Sequence, residues 1–460
     1  MQRNLTHGSV LKTMLLFSLP YLLSTFLQTL YGLADLFIAG QFNGADVISA
    51  VSIGSQVMHF VTVVIVGLAM GSTVLISRSV GAKDPRQTGK AIGSTVIVFM
   101  AVAVVATAAL LLLTGRIVDV MSTPPEAAAQ TRLYLMICFA GIPAITAYNI
   151  ISAVFRGLGD TKSPMVFVAV ACVINILLDL LLIGAFHMRA VGAALGTVLS
   201  QACSVLFALL AIRRRKADFP LTRQDFIPSR AVTGQMLRIG VPVACQDAFI
   251  QVSFLLITVI ANQRGVNVAA AVGVVEKIIG IMFLVPSAML STVSALAAQN
   301  MGAGRHDRAR QVLFIGIGIT TLVGTAFSVW AQFGAEWLVN LFSGGEAEVT
   351  VLGGQYLRAY VFDCIAAGAH FCFSGYFCAY GKSWVSFAHN VASIVLCRIP
   401  IAYFAAQHWP HTLYPMGWAA PLGSLLSAMI CLCVYWLMRT RGLHDRRDTP
   451  MAREGSPEGR

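Results

Sequence analysis

Twelve apolar runs, each about twenty residues long and bounded by charges or by Gly, Pro and Asn clusters, recur along this 460-residue chain. They constrain the fold more than any other feature. A helical run of that length matches the hydrocarbon core of a bilayer, and backbone immersed in lipid satisfies its hydrogen bonds only as helix or closed barrel. The expected spans lie near 13–39, 48–77, 90–113, 130–155, 164–186, 191–213, 233–262, 269–299, 311–333, 353–380, 384–406 and 415–438. Only 11% of the residues are charged, against about 25% in soluble domains. The fold class is an all-α polytopic membrane protein. The first run follows only Arg3 and Lys12 and has no small-residue cleavage site, so it reads as a retained helix and not a secretory signal.

The net charge of +12 could suggest a nucleic-acid partner, but the basic residues occupy alternate loops. Arg78, Lys83, Arg86 and Lys90, then Arg156 and Lys162, then the stretch from Arg213 to Arg230, then Arg305, Arg308 and Arg310, and finally Arg439 to Arg447 fall on one side. The opposite loops hold little beyond Arg116, Arg189 and Arg264, while Glu336, Glu346 and Glu348 share one of them. The positive-inside rule puts the basic loops, and with an even span count both termini, in the cytoplasm. The ten cysteines are scattered along the spans without a metal or disulfide spacing, and read as small packing residues.

The chain repeats itself. MLLFSLPYLL around Pro20 is echoed by MLRIGVPVAC around Pro242, and SVGAKDPRQTGKAI by NMGAGRHDRARQVL, at offsets of 222 and 221 residues. Lys162-Ser163 returns as Lys382-Ser383, and Leu195-Gly196-Thr197 as Leu422-Gly423-Ser424. Each unit holds six helices and starts on the same side, so two lobes related by a pseudo-two-fold axis along the membrane normal are expected. The division is 1–213 for the N-terminal lobe, 214–232 for a cytoplasmic interlobe loop, 233–438 for the C-terminal lobe and 439–460 for a disordered cytoplasmic tail. Lobes of this kind rock about a cleft, exposing it to each side in turn.

Five acids fall within the spans, Asp35, Asp179, Asp247, Glu276 and Asp363, and Lys277 and Arg398 are bases well inside them. A carboxylate at the centre of a bilayer costs roughly 2.5–3.5 kcal/mol on insertion scales, so it persists where it pairs, meets water or takes part in transport. Asn175 and Asp179 are four apart and share a helix face. Low dielectric disfavours the bare carboxylate, so a proton or a cation must accompany it, and oxygen ligands suit a hard ion such as Na+. Asp35 and the Asn175–Asp179 face are thus read as a coupling site for H+ or Na+, a choice the residues leave open. Glu276 and Arg398 lie at similar depth in the eighth and eleventh spans, where a buried structural ion pair is expected. Lys277 reads as snorkelling or cavity-lining, and His59, His370 and His389 as polar packing. Gly67-x-x-x-Gly71 and Gly192-x-x-x-Gly196 permit close helix approach.

The first span with Pro20 and Asp35 fifteen apart, the Asn175-x-x-x-Asp179 face, the FRGLGDTKSP turn from Phe155 to Pro164 and the paired Gly-Ala loops together resemble the multidrug and toxic compound extrusion (MATE) family, in particular its DinF-like branch, over essentially all twelve helices. The resemblance implies a cation site in the N-terminal lobe at Asp35, Asn149, Asn175, Asp179 and Thr197, with bending of the first helix at the Pro20 hinge as occupancy changes. The oxygens of Asp35, Asn175, Asp179 and Thr197 would hold Na+ if that is the ion. Other branches use acids of the seventh and tenth spans; here Asp247 and Gln251 stand in the seventh and Asp363 is displaced from the expected position. These three, with His370, are instead expected to line a substrate cavity.

The function expected is secondary active export of amphipathic, cationic organic compounds by H+ or Na+ antiport, without a cofactor. The protein would act in the bacterial cytoplasmic (inner) membrane as a multi-pass monomer, with the lipid bilayer and small organic substrates as partners and no obligate protein or nucleic acid. A flippase for lipid-linked precursors or polysaccharide is the alternative, disfavoured by five acids against two bases well inside the spans. A major-facilitator protein ranks third because SVGAKDPRQTG lacks the Gly-x-x-x-Asp-Arg pattern. An intramembrane enzyme or ATP-driven pump lacks any His-Glu-x-x-His, Gly-x-Ser-x-Gly or phosphate-loop motif, and a membrane sensor would not transport by itself.

Overall fold

The computed structural model describes residues 4–214 and 222–440, and among them there are helices and turns but no strand. Ten helices are long and apolar enough to cross a membrane: Val10–Phe42, Ala45–Gly81, Pro85–Val120, Lys162–Ala185, Arg189–Arg213, Arg230–Asn262, Val266–Gly302, His306–Ser343, Ser383–His408 and Tyr414–Thr440. Two bent pairs complete the set, Pro125–Ala140 with Ile142–Gly157 at 50° and Ala347–Tyr360 with Asp363–Ala379 at 42°. Counted in chain order, with each pair as one, these are spans 1 to 12, and they form two six-helix lobes.

All twelve expected spans are present, and most run a few residues past their apolar cores because polar caps extend them. Ser9 caps span 1 by accepting from Lys12 N–H, and Asp84 caps span 3 by accepting from Gln87 N–H with Pro85 at the first helical position. Such caps satisfy amide groups that have no partner within the helix. Span 4 breaks at Gly141 with Pro143 just beyond, where Pro supplies no N–H to the preceding turn. The bends of spans 4 and 10 occupy matching places in the two repeats. Between the lobes, Thr222 N–H and hydroxyl donate to Asp225, which holds that carboxyl below the usual carboxylate range. This short Arg223–Phe226 turn seats on Gly89 and Gly93 of span 3. The residues from 215 to 221 and the proposed tail from 441 onward lie outside the described residues.

Apolar side chains cover the outside. Val105 of span 3 is 69% exposed, and Leu112 and Phe333 are each 87% exposed, surfaces that only lipid accommodates over so many helices. The interior is held by small residues. Span 2 crosses from one lobe to meet spans 7 and 8 of the other along a seam of glycines. A Cβ added at Gly71 would lie 2.1 Å from the Met236 carbonyl oxygen, and at Gly240 2.3 Å from that of Leu68. At Gly81 it would lie 1.9 Å from Gln299 O, and at Gly302 2.0 Å from Arg78 O. Gly67, the other glycine of the first Gly-x-x-x-Gly motif, faces Ala244. The seam closes the half of the molecule nearest the basic loops.

Candidate functional site

Span 1 buries Asp35, Ile38 and Ala39 at helical spacing against the first lobe, so Asp35 is carried inward on the same stripe as its apolar neighbours. Asp35 is 4% exposed, Asn175 1% and Asp179 0%. The Thr197 hydroxyl of span 6 donates to Asp35 Oδ2 at 3.2 Å while also reaching Ala193 O at 3.0 Å. Asp179 and Asn175 of span 5 face Asp35 across the lobe interior. Asp35 Oδ1, Asn175 Oδ1 and both carboxylate oxygens of Asp179 are buried without a hydrogen-bond partner. Four such oxygens in one place form a donor set suited to a proton or a hard cation, and leaving them bare is costly. Among the described residues no group of three or more His, Cys, Asp or Glu could hold a metal ion.

Two features shape this cluster, the first of them not legible in the sequence. Immediately after Asp179, span 5 widens into a π-helical turn over Leu180–Ala185, a device that re-aims side chains and recurs at functional sites. Span 6 then approaches at Gly196, where an added Cβ would lie 2.1 Å from Asp179 Oδ1 and 3.6 Å from Asn175 Nδ2. Gly192, one turn earlier, packs on Ile183 of the π turn. Tyr31, one turn before Asp35 on span 1, lies within the electrostatic reach of that carboxyl.

Of the five residues implied as the cation set, four come together. Asn149 turns its amide nitrogen to Ile145 O in its own helix at 2.8 Å and bonds to none of the others. Pro20 lies inside an unbroken helix from Val10 to Phe42, where it leaves the Leu16 carbonyl without its helical donor. One turn earlier, Thr161 of the FRGLGDTKSP turn donates to Phe17 O at 2.8 Å, tying span 1 to its own lobe beside the proline.

The second lobe holds a different arrangement. Its span 11 also contains a π-helical turn, Ile394–Arg398, and Gly423 of span 12 lies against Ser393 and Arg398, as Gly196 lies against Asp179. A cavity of about 40 Å³ opens there among Phe254, Phe283, Asp363, His370, Asn390 and Arg398. That volume holds a few waters. Asp363 and His370 line it, whereas Asp247 and Gln251 do not. The ion pair expected between Glu276 and Arg398 is not formed within 4.0 Å among the described residues. Arg398 donates instead to the Tyr360 hydroxyl and stacks over Phe254, 4.6 Å from the ring centroid. Glu276 accepts from Thr258 at 3.3 Å, and the two charges interact only through space. The aromatic partners win because they sit at the same depth as the guanidinium and add cation–π attraction to a hydrogen bond. Lys277 is exposed, and His389 is held between Ser374 and Ser427 at 3.0 and 3.1 Å, the polar packing expected of it.

Comparison with known proteins adds to this geometry. The MatE family model matches residues 20–181 and again 242–404, which repeats the internal duplication. The chain is 30% identical over 403 residues to the probable multidrug resistance protein YpnP of Bacillus subtilis (strain 168), covering 87% of this chain and 90% of that protein. It is 24% identical over 440 residues to the multidrug export protein MepA of Staphylococcus haemolyticus (strain JCSC1435), covering 94% and 95%. Among solved structures, an outward-facing multidrug resistance MATE family transporter of the MOP superfamily superposes with a TM-score of 0.89 at 21% identity, covering 96% of this chain and 98% of that one.

Proposed function

Since the chain belongs to the MatE family of multidrug efflux transporters, we propose that its antiport is coupled by H+ or Na+ at Asp35, Asn175, Asp179 and Thr197. The observation that carries this reading is the group of four unpartnered, buried oxygens that spans 1 and 5 bring together beside Thr197 of span 6. Two facing carboxylates in low dielectric do not both keep a bare charge, so an entering cation or proton stabilises the cluster strongly. Assembly of this set within the first lobe favours the DinF-like branch. The cargo is an amphipathic organic cation, attracted by the carboxyls that spans 1, 5, 7, 8 and 10 carry. The second-lobe cavity around Asp363 and His370 is its contact with the other half of the cleft.

In the cycle proposed, the basic face is cytoplasmic, both termini lie inside, and the glycine seam closes that side, so the present arrangement faces outward. An ion binding from outside draws span 1 toward spans 5 and 6, span 1 bends at Pro20, and the first-lobe cavity contracts and releases cargo. The protein works as a monomer in the bacterial inner membrane, with lobes divided at the 214–232 linker. Efflux of a fluorescent organic cation from liposomes under an imposed H+ or Na+ gradient tests it. Wild type is expected to respond to one of the gradients, and Asp35→Asn and Asp179→Asn to lose at least tenfold of the gradient-driven rate while inserting normally. Either variant exporting at the wild-type rate would remove the site from the mechanism.

A further inference from the structure

Residues 4–9 precede span 1 and belong covalently to the first lobe, yet Leu5, Thr6, His7 and Gly8 find partners in the second. Leu5 N–H donates to Gln299 Oε1 at 2.7 Å, and Asn300 Nδ2 donates to Leu5 O at 3.5 Å. Arg305 donates to Thr6 O at 2.6 Å, and Arg308 to Gly8 O at 2.7 Å and to His7 O at 3.0 Å. Four consecutive carbonyls, Leu5 to Gly8, are therefore read as backbone by the end of span 8 and the start of span 9. Leu5 is 3% exposed and packs in one apolar cluster with Met14, Phe17 and Leu296. Gly8 adopts φ +77, which lets the extended stretch turn into the Ser9 cap at little cost. Gln299 and Asn300 sit beside Gly302, and the backbone of Gln299 is what Gly81 touches across the seam.

We infer that residues 4–9 form an interlobe strap that holds the basic side shut and must leave Gln299, Asn300, Arg305 and Arg308 before that side opens. The two lobes cannot separate at Gly81 and Gly302 while one end of span 1 stays bonded to the other lobe. The strap is continuous with the helix that carries Pro20 and Asp35, so bending of span 1 loads or slackens it directly. Guanidinium-to-carbonyl bonds are charge-assisted and directional, but His7 and Gly8 are exposed, so the strap can peel from that end without unfolding a span. This inference rests on the alternating-access reading above, because only a seam that opens requires the strap to let go.

Hydrogen–deuterium exchange on the full chain in lipid nanodiscs, with no cargo and no gradient, tests it. In Arg305→Ala/Arg308→Ala, amides over 76–84 and 296–304 are expected to exchange at least tenfold faster than in wild type. The outer halves of spans 3 and 6 should be unchanged and serve as the control for folding. Gln299→Ala, a milder change that removes the acceptor for Leu5 N–H, should show the same pattern at smaller amplitude and decides the matter if the double variant unfolds. Faster exchange confined to residues 4–9, or none at all, overturns the strap. Because the readout needs no transport, failed efflux with a positive exchange result would count against the coupling site and leave the strap standing.

Discussion

A methyl group at position 196 would sit 2.1 Å from Asp179 Oδ1, closer than any carbon–oxygen contact tolerates, so the absence of a side chain there keeps the carboxyl in place. Gly196→Ala is expected to push Asp179 away from Asp35 and cut gradient-driven efflux at least tenfold, with surface delivery and helix content close to wild type. Efflux assays beside circular dichroism check both halves of that statement, and an unimpaired rate would show that the cluster tolerates rearrangement. At this scale the sequence was informative about chemistry and less so about partners. The Asn175–Asp179 face follows from a four-residue spacing, which is local. Asn149 shares the chemistry of the cluster but spends its amide nitrogen on its own helix, and no spacing rule reveals that. Arg398 likewise took Tyr360 and Phe254 in place of Glu276, since depth along a helix does not specify the direction a side chain faces.

The helices carry irregularities in repeat-related spans: bends in spans 4 and 10, and, at positions about six residues apart in the repeat, π turns in spans 5 and 11. The bend near Pro143 has a visible cause in the chain, while the π turns have none, because Leu, Ile and Ala support either helix type equally. Glycine pairs were legible as close-approach motifs, and both approach another helix: Gly67 and Gly71 across the interlobe seam, Gly192 and Gly196 inside the first lobe. Which pair joins lobes and which joins neighbours depends on the packing. Gly81→Ala places a Cβ 1.9 Å from Gln299 O, a contact with backbone that no rotamer change relieves. Overpacking of this kind costs about 1–3 kcal/mol, and here it falls only on the state in which the seam is closed. Thiol labelling of a cysteine introduced on the basic face of the seam should therefore become several-fold faster in Gly81→Ala than in its parent. Equal rates would mean that the seam yields without parting.

Seen whole, the molecule is two related lobes joined in one chain, with span 2 meeting spans 7 and 8, and residues 4–9 and span 1 meeting spans 8 and 9, between them. The monomer proposed above carries both sites within one polypeptide. Reconstitution at less than one chain per vesicle should give vesicles that transport at the full per-chain rate; a rate that falls with the square of chain density would require a dimer. Span number, the duplication and the alternation of basic and acidic loops were all determined by the sequence, because run length, charge order and repeat offset are local or one-dimensional properties. Only the tertiary structure decided that Asp35, Asn175, Asp179 and Thr197 meet, that Asn149 does not join them, and that residues 4–9 cross to the other lobe. Those outcomes depend on how each helix is rotated about its axis and how closely glycines let it approach its neighbours, quantities set jointly by all twelve spans.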